Sequence, residues 1–353
     1  MASQSPNRSY VLLLDEISSV SSGLFLKTSI GGSEPKYLMV DSGSTGIVIT
    51  PQFLENASFQ DSKKPFQLTY SSSGNSYKGT WITAIVTFSS GDVQATTKQM
   101  NLRMATSWRK GYDGTFTTEG LGIRMLGVGF DRDTGPGTKD SGGNLVLPDI
   151  NPFILLEEMT PEGGVIPGYI LSPTCITLGI TKEERDTFEC VQLVREVPTA
   201  VTGLAVLPAP DWSAPNVNVS VPTSNIAPFL ASLLIDTGLS YSIVQAPKGV
   251  APDIVAILLK PDPEEEHPPP ITCRAQVADY EQIRLTFPEL SQPLYEYIVG
   301  AKGDVPPEYV SWRHDLHAGV PFINASLHAL SGFDYLFDQK GGILGFRFRA
   351  DKM

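Results

Sequence analysis

Two short runs in this sequence place a carboxylate on a glycine turn: Val40-Asp41-Ser42-Gly43-Ser44-Thr45-Gly46 and Ile235-Asp236-Thr237-Gly238-Leu239-Ser240. In each, an apolar stretch (Tyr37-Leu38-Met39-Val40 in one, Leu233-Leu234-Ile235 in the other) runs into Asp, then a hydroxyl residue, then Gly. A strand that stops this way presents its carboxylate at the strand end. The aspartates lie 195 positions apart, a spacing that suggests two related lobes bringing them face to face. Carboxylates that close cannot both ionise, so the pair keeps one proton at a pH where a lone Asp would lose it. One member then serves as general base and the other as general acid around a single water. That is hydrolytic chemistry in outline, although a single Asp-Ser-Gly is more often a plain β-turn.

The elements that must position these turns are strands. With 353 residues the chain has room for two lobes of about 170 residues each. Its 28 prolines and 32 glycines, set against few long helical patterns, favour a turn-rich β protein. Tyr10–Leu14 and Leu24–Ile30 read as strands around the turn cluster Ser18–Gly23, and the strand into Asp41 follows Gly31–Pro35. Phe66–Tyr70 and Thr80–Phe88 flank the small and polar run Ser71–Gly79, which predicts a long hairpin with a mobile tip. Gly111–Gly120, Asp131–Asn144 and the charged, proline-rich Lys260–Pro270 read as surface loops. The chain closes with Phe333–Phe348, two apolar strands around Asp338-Gln339-Lys340-Gly341-Gly342. Asn151–Met159 and Asn324–Leu330 are the helix candidates. The apolar pattern breaks at Lys182–Asp186, dividing the chain into lobes 1–185 and 186–353.

Together these features resemble the pepsin-like aspartic proteases, bilobal all-β proteins in which each lobe supplies one Asp-Thr/Ser-Gly turn backed by an apolar-apolar-Gly segment. Met125-Leu126-Gly127 would back the first turn and Ala318-Gly319-Val320-Pro321-Phe322 the second. Gly168–Ser172 with Thr177-Leu178-Gly179 resembles the end of the family's first lobe, and Leu336–Phe346 its final hairpin. The resemblance implies an all-β bilobal fold with a substrate cleft between the lobes. It makes Asp41 and Asp236 the dyad, Ser42 and Thr237 the hydroxyls that bond across the lobe junction, and Gly43 and Gly238 the backbone donors to the carboxylates. Ser44 falls where the family places a hydroxyl on the outer oxygen of the first Asp. The hairpin carrying Tyr70 resembles the family's flap, a lid that covers bound substrate.

The chain also departs from that pattern. Leu239 stands where the second turn usually has a hydroxyl, so Asp236 is expected to lack an outer-oxygen donor. Val48 stands where a tryptophan usually anchors the flap tyrosine, so Tyr70 is expected to sit differently. No pro-segment is visible before the first strand, and the N-terminus lacks an export signal. These absences lead to the expectation of a cytoplasmic protein, and to an alternative in which the cleft performs acid/base-assisted cyclisation or isomerisation of a small molecule. A silent binding protein is the third reading. The expected partner is a peptide or small-molecule substrate, with no cofactor and no metal; His314 and His317 have too few neighbouring ligands for a metal site. The net charge of −12 argues against nucleic acid, and no apolar run approaches the length of a membrane span. Three cysteines imply no disulfide framework, with Cys175 and Cys190 expected as buried thiols. The Asn-X-Ser tripeptides at Asn7, Asn56, Asn218 and Asn324 read as incidental.

Overall fold

The computed structural model describes residues 9–112, 114–130, 151–160, 165–195, 212–224, 226–259, 272–314 and 320–349. They form an all-β protein built on two nine-stranded sheets and a six-stranded sheet. The first nine-stranded sheet runs in the order 60–69, 76–84, 100–109, 45–49, 124–128, 36–41, 24–30, 86–90, 93–96. The second runs 254–259, 272–277, 310–314, 242–246, 322–324, 229–234, 216–220, 282–286, 295–298. Taken position by position, the two orders correspond. The strand entering each aspartate is parallel to its backing strand, and the strand leaving each turn is parallel to its outer neighbour. One plan is therefore built twice. In the second copy the hairpin strands Ile254–Leu259 and Thr272–Val277 occupy the place of the first copy's Gln60–Thr69 and Ser76–Ala84.

The six-stranded sheet joins the copies. It contains Tyr10–Leu13, Cys175–Ile180, Ile166–Leu171, Phe333–Asp338, Ile343–Phe348 and Glu189–Gln192 in that order. C-terminal strands thus pair directly with strands that end the first half, Ile170 facing Leu336. Tyr169, Phe153, Phe333, Phe337 and Phe346 are wholly buried there, and Phe130 stacks on Phe337 at 4.6 Å. Side chains of this size bury about 150–250 Å² each, so the shared sheet ties the two halves by apolar packing as well as by strand pairing.

Several expectations need correction. Neither helix candidate is an α-helix: Asn151–Met159 contains the 3₁₀ turn Pro152–Ile154 capped by Asn151, and Asn324–Leu330 contributes to the 3₁₀ turn Leu327–Ser331. Asn324 itself is extended in a strand, and Ser326 has φ of +63°, a value that interrupts any helix running through it. The α-helix among the described residues is one turn, Lys182–Arg185, held by a capping box between Thr181 and Glu184. The loop of the Tyr70 hairpin is shorter than Ser71–Gly79, because Ser76–Gly79 belong to a strand and Thr69 pairs with Ser76. Cys190 is exposed and Cys175 half-buried. Cys190 lies on an edge strand whose alternation turns Val191 inward and Cys190 out. Asp131–Asn144 and Lys260–Pro270 lie outside the described residues. No described helix is long and apolar enough to cross a membrane.

Candidate active site

The two glycine turns meet at the lobe junction and bond reciprocally. The Ser42 N–H donates to Thr237 Oγ1 at 2.9 Å, and the Thr237 N–H to Ser42 Oγ at 3.1 Å. Each hydroxyl then reaches the backbone before the opposite aspartate: Ser42 Oγ donates to the Ile235 carbonyl at 2.7 Å and Thr237 Oγ1 to the Val40 carbonyl at 2.8 Å. Ser42 and Thr237 are buried, so losing either leaves polar groups without water. This lattice fixes the distance between the strand ends, and with it the distance between Asp41 and Asp236.

The carboxylates are 4% and 7% exposed, so both are largely desolvated. The Gly43 N–H donates to Asp41 Oδ1 at 2.8 Å and the Gly238 N–H to Asp236 Oδ1 at 2.9 Å. Glycine is required for close approach: a Cβ at Gly43 would collide with the Asp236 carboxylate, and one at Gly238 would meet Asp41 Oδ1 at 2.6 Å. Each carboxylate thus overhangs the other lobe's glycine. Burial, and next the charge of Asp236, push the Asp41 carboxyl well above the ordinary carboxylate range, while the Ser44 hydroxyl and the Gly43 N–H pull it partly back.

The outer oxygens are served differently. Ser44 Oγ donates to Asp41 Oδ2. For Asp236, the expected loss of a donor at Leu239 does not occur, because Asn324 Nδ2 donates to Asp236 Oδ2 at 2.6 Å. Asn324 is buried, and its Oδ1 accepts the Ser326 N–H at 2.9 Å, which fixes the amide's orientation. The strand register explains how it arrives there. Met39 and Leu234, each two residues before its aspartate, pair with Met125 and Asn324. Asn324-Ala325-Ser326 therefore backs the second turn, correcting the assignment to Ala318–Phe322, of which Ala318 and Gly319 lie outside the described residues. Ser326 stands where the first lobe has Gly127.

Tyr70 closes the flap strand, and its amide donates to the Asn75 carbonyl across a six-residue tip at 2.9 Å. Its ring packs edge-on against Tyr77 and over a cluster of Val48, Phe66, Trp81, Ala105 and Ile123. The Tyr70 hydroxyl lies near Ser44 and Asp41 without closing a hydrogen bond to any described residue; burial first, then the Asp41 charge, raise it above the ordinary phenol range. The flap tip also touches the second lobe, where the Tyr241 hydroxyl donates to the Ser72 carbonyl at 3.2 Å. Tyr241 is steadied by stacking on Tyr309 at 4.4 Å.

Beneath the flap lies a cleft of about 900 Å³. It runs from Phe25, Met39 and Arg124 in the first lobe, past the dyad, to Gln245, Arg313 and Phe322 in the second. The structure brings together Asp41, Ser42, Gly43, Ser44, Tyr70, Asp236, Thr237 and Gly238. Sequence reasoning missed Asn324 and the buried Arg103. No three His, Cys, Asp or Glu side chains converge as a metal site among the described residues; His317 lies outside them.

No family model matches the chain, and no curated protein matches it in sequence. Among solved structures it is similar to the aspartic proteinase from Irpex lacteus, with a TM-score of 0.57 and 14% identity. The match covers 97% of this chain and 98% of that one. The described residues thus resemble a bilobal pepsin-like fold.

Proposed function

We propose that this protein is an aspartic-type hydrolase acting on peptide bonds. The observation that carries the reading is the crossed placement of two desolvated carboxylates, each over the opposite lobe's glycine, with a donor on every one of their oxygens. In this mechanism the ionised member of the pair takes a proton from a water held between them as that water adds to the scissile carbonyl. The protonated member donates toward the developing oxyanion, and the proton passes on to the departing amine. Tyr70 and the flap shield the reacting carbonyl from bulk water, which strengthens these interactions. The Ser42–Thr237 lattice holds both carboxylates in place, so the pair needs little reorganisation during the reaction.

A second reading, acid/base catalysis on a small molecule, draws support from the cleft volume and from the contact that latches the flap tip to the second lobe. A cleft that extends into both lobes fits a peptide better. Incubation with a diverse peptide library between pH 3 and 8 separates the two. Cleavage by the wild type that disappears in Asp41→Asn supports the protease reading. Silence across the whole library at every pH transfers the assignment to the small-molecule reading.

A further inference from the structure

Of the described residues lining the cleft, three are arginines, Arg103, Arg124 and Arg313, and the only carboxylates are Asp41 and Asp236. Three guanidinium groups against two carboxyl groups give the described lining an excess of positive charge, inside a protein whose net charge is −12. That contrast sets the cleft apart from the rest of the molecule. We infer that the substrate is an acidic peptide, with Asp or Glu side chains near the scissile bond on both sides of it. This inference rests on the hydrolase reading.

The arginines are placed by the sheets. In the first lobe a row of paired residues crosses the sheet as Arg103, Val48, Met125, Met39 and Phe25. In the second a row crosses as Arg313, Gln245 and Phe322. Arg103 and Arg313 therefore lie on corresponding strands of the two lobes, Arg103 pairing onward with Trp81, and both line the cleft that holds the dyad. Arg103 is 4% exposed and fixed, one nitrogen donating to the Thr45 carbonyl at 3.2 Å and its plane lying over the Trp81 ring at 4.6 Å. Arg124 lies over the Phe25 ring at 5.0 Å, while Arg313 is exposed at the second-lobe end. A guanidinium whose orientation is already set loses little freedom on meeting a carboxylate. Apolar surface from Phe25, Met39 and Phe322 between these cations suits the backbone and neighbouring side chains of an extended peptide.

The test uses matched peptides with one apolar frame, carrying Glu, Gln or Lys at single positions flanking the cleaved bond. The wild type is expected to cleave the Glu peptides at least about tenfold faster in kcat/KM than the Gln peptides at one or more positions on each side. The preference should vanish near pH 3, where a Glu side chain is neutral. Arg313→Glu should remove it on one side only and favour Lys there; Arg103→Met combined with Arg124→Gln should remove it on the other. If the buried Arg103 variant fails to fold, the exposed Arg313 variant still decides the second-lobe side. Gln peptides cleaved as well as Glu peptides, or a preference unchanged in Arg313→Glu, overturn the inference while leaving the hydrolase reading intact. If no peptide is cleaved, the hydrolase reading fails by itself. Calorimetric binding of the same Glu and Gln peptides to wild type and Arg313→Glu then judges the charge selection: tighter binding of Glu peptides, lost in the variant, supports it, and equal or absent binding overturns it.

Discussion

Asn324→Leu tests the donor to Asp236 that the second lobe uses in place of a turn hydroxyl. The substitution removes the Nδ2–Oδ2 bond of 2.6 Å at a buried site. A hydrogen bond to a buried carboxylate contributes about 1.5–3 kcal/mol to its charged form. At about 1.4 kcal/mol per pH unit, its loss should move the acid limb of the pair's titration upward by about one to two units. The direction follows from the chemistry: without the donor the carboxylate is disfavoured, so the dyad's first ionisation waits for a higher pH. The variant also orphans the Ser326 N–H, which Asn324 Oδ1 accepts at 2.9 Å, at a cost of about 1–3 kcal/mol in stability. Leu239→Thr separates the two effects. Its hydroxyl would stand where Ser44 stands in the first lobe, so adding it to Asn324→Leu should return the acid limb toward wild type without restoring stability. The assay is kcat/KM against pH for a cleaved peptide, paired with urea unfolding of each variant. An acid limb that stays put in Asn324→Leu, or that the second substitution leaves displaced, refutes the reasoning.

Further outcomes follow from the same geometry. Because the Asp41 carboxyl is raised on folding, the native state holds its proton more tightly than the unfolded chain. The stability that this contributes is complete below the ordinary carboxylate range and is lost as pH rises toward the raised value. Asp41→Asn cannot ionise, so it should gain stability over wild type between pH 4 and 7, by up to about 1.4 kcal/mol per unit; an offset equal at both pH values, read by calorimetry, contradicts this. Thr237→Val removes the acceptor for the Ser42 N–H and the donor to the Val40 carbonyl, and should cost about 2–4 kcal/mol in urea unfolding. Combined with Ser42→Ala it should fall short of additivity by at least about 1 kcal/mol, since the two residues share one lattice; strict additivity would deny that. Tyr241→Phe loses the bond to the Ser72 carbonyl, worth about 0.5–1.5 kcal/mol, and should raise amide exchange at residues 71–75 about two- to tenfold. Unchanged exchange there would mean that the contact does not restrain the flap.

What the sequence disclosed and what it hid have separate physical causes. The aspartate turns are legible because an apolar run ending in Asp-Ser/Thr-Gly leaves a local trace, and the closing hairpin because Gly341-Gly342 separates two apolar strands. The second backing segment leaves no such trace. The apolar-apolar-Gly pattern points toward Gly319, whereas the position equivalent to Gly127 is Ser326, which tolerates φ of +63° without being glycine. Asn324 is hidden for the same reason: it acts on a carboxylate 88 positions away, and locally it looks like part of an Asn-Ala-Ser acceptor or the start of a helix. Counting back from the Phe333–Phe348 hairpin to align Leu234-Ile235-Asp236 with Met39-Val40-Asp41 is the signal that would have located it. Ser76–Gly79 looks like loop because it is polar, but a hairpin standing out from the sheet accepts polar strands when hydroxyls pair across it, as Thr69 and Ser76 do at 2.7 Å. Arg103 carries no local pattern at all, since its burial depends on Trp81 and Thr45 arriving from other strands.

Steady-state hydrolysis of one well-cleaved peptide by wild type, Asp41→Asn and Asp236→Asn addresses the paired-carboxylate mechanism most directly. Each single substitution should lower kcat at least about a thousandfold with the fold intact, because neither carboxyl group can stand in for both acid and base. Turnover within a few-fold of wild type in either variant would contradict a reaction that depends on the pair.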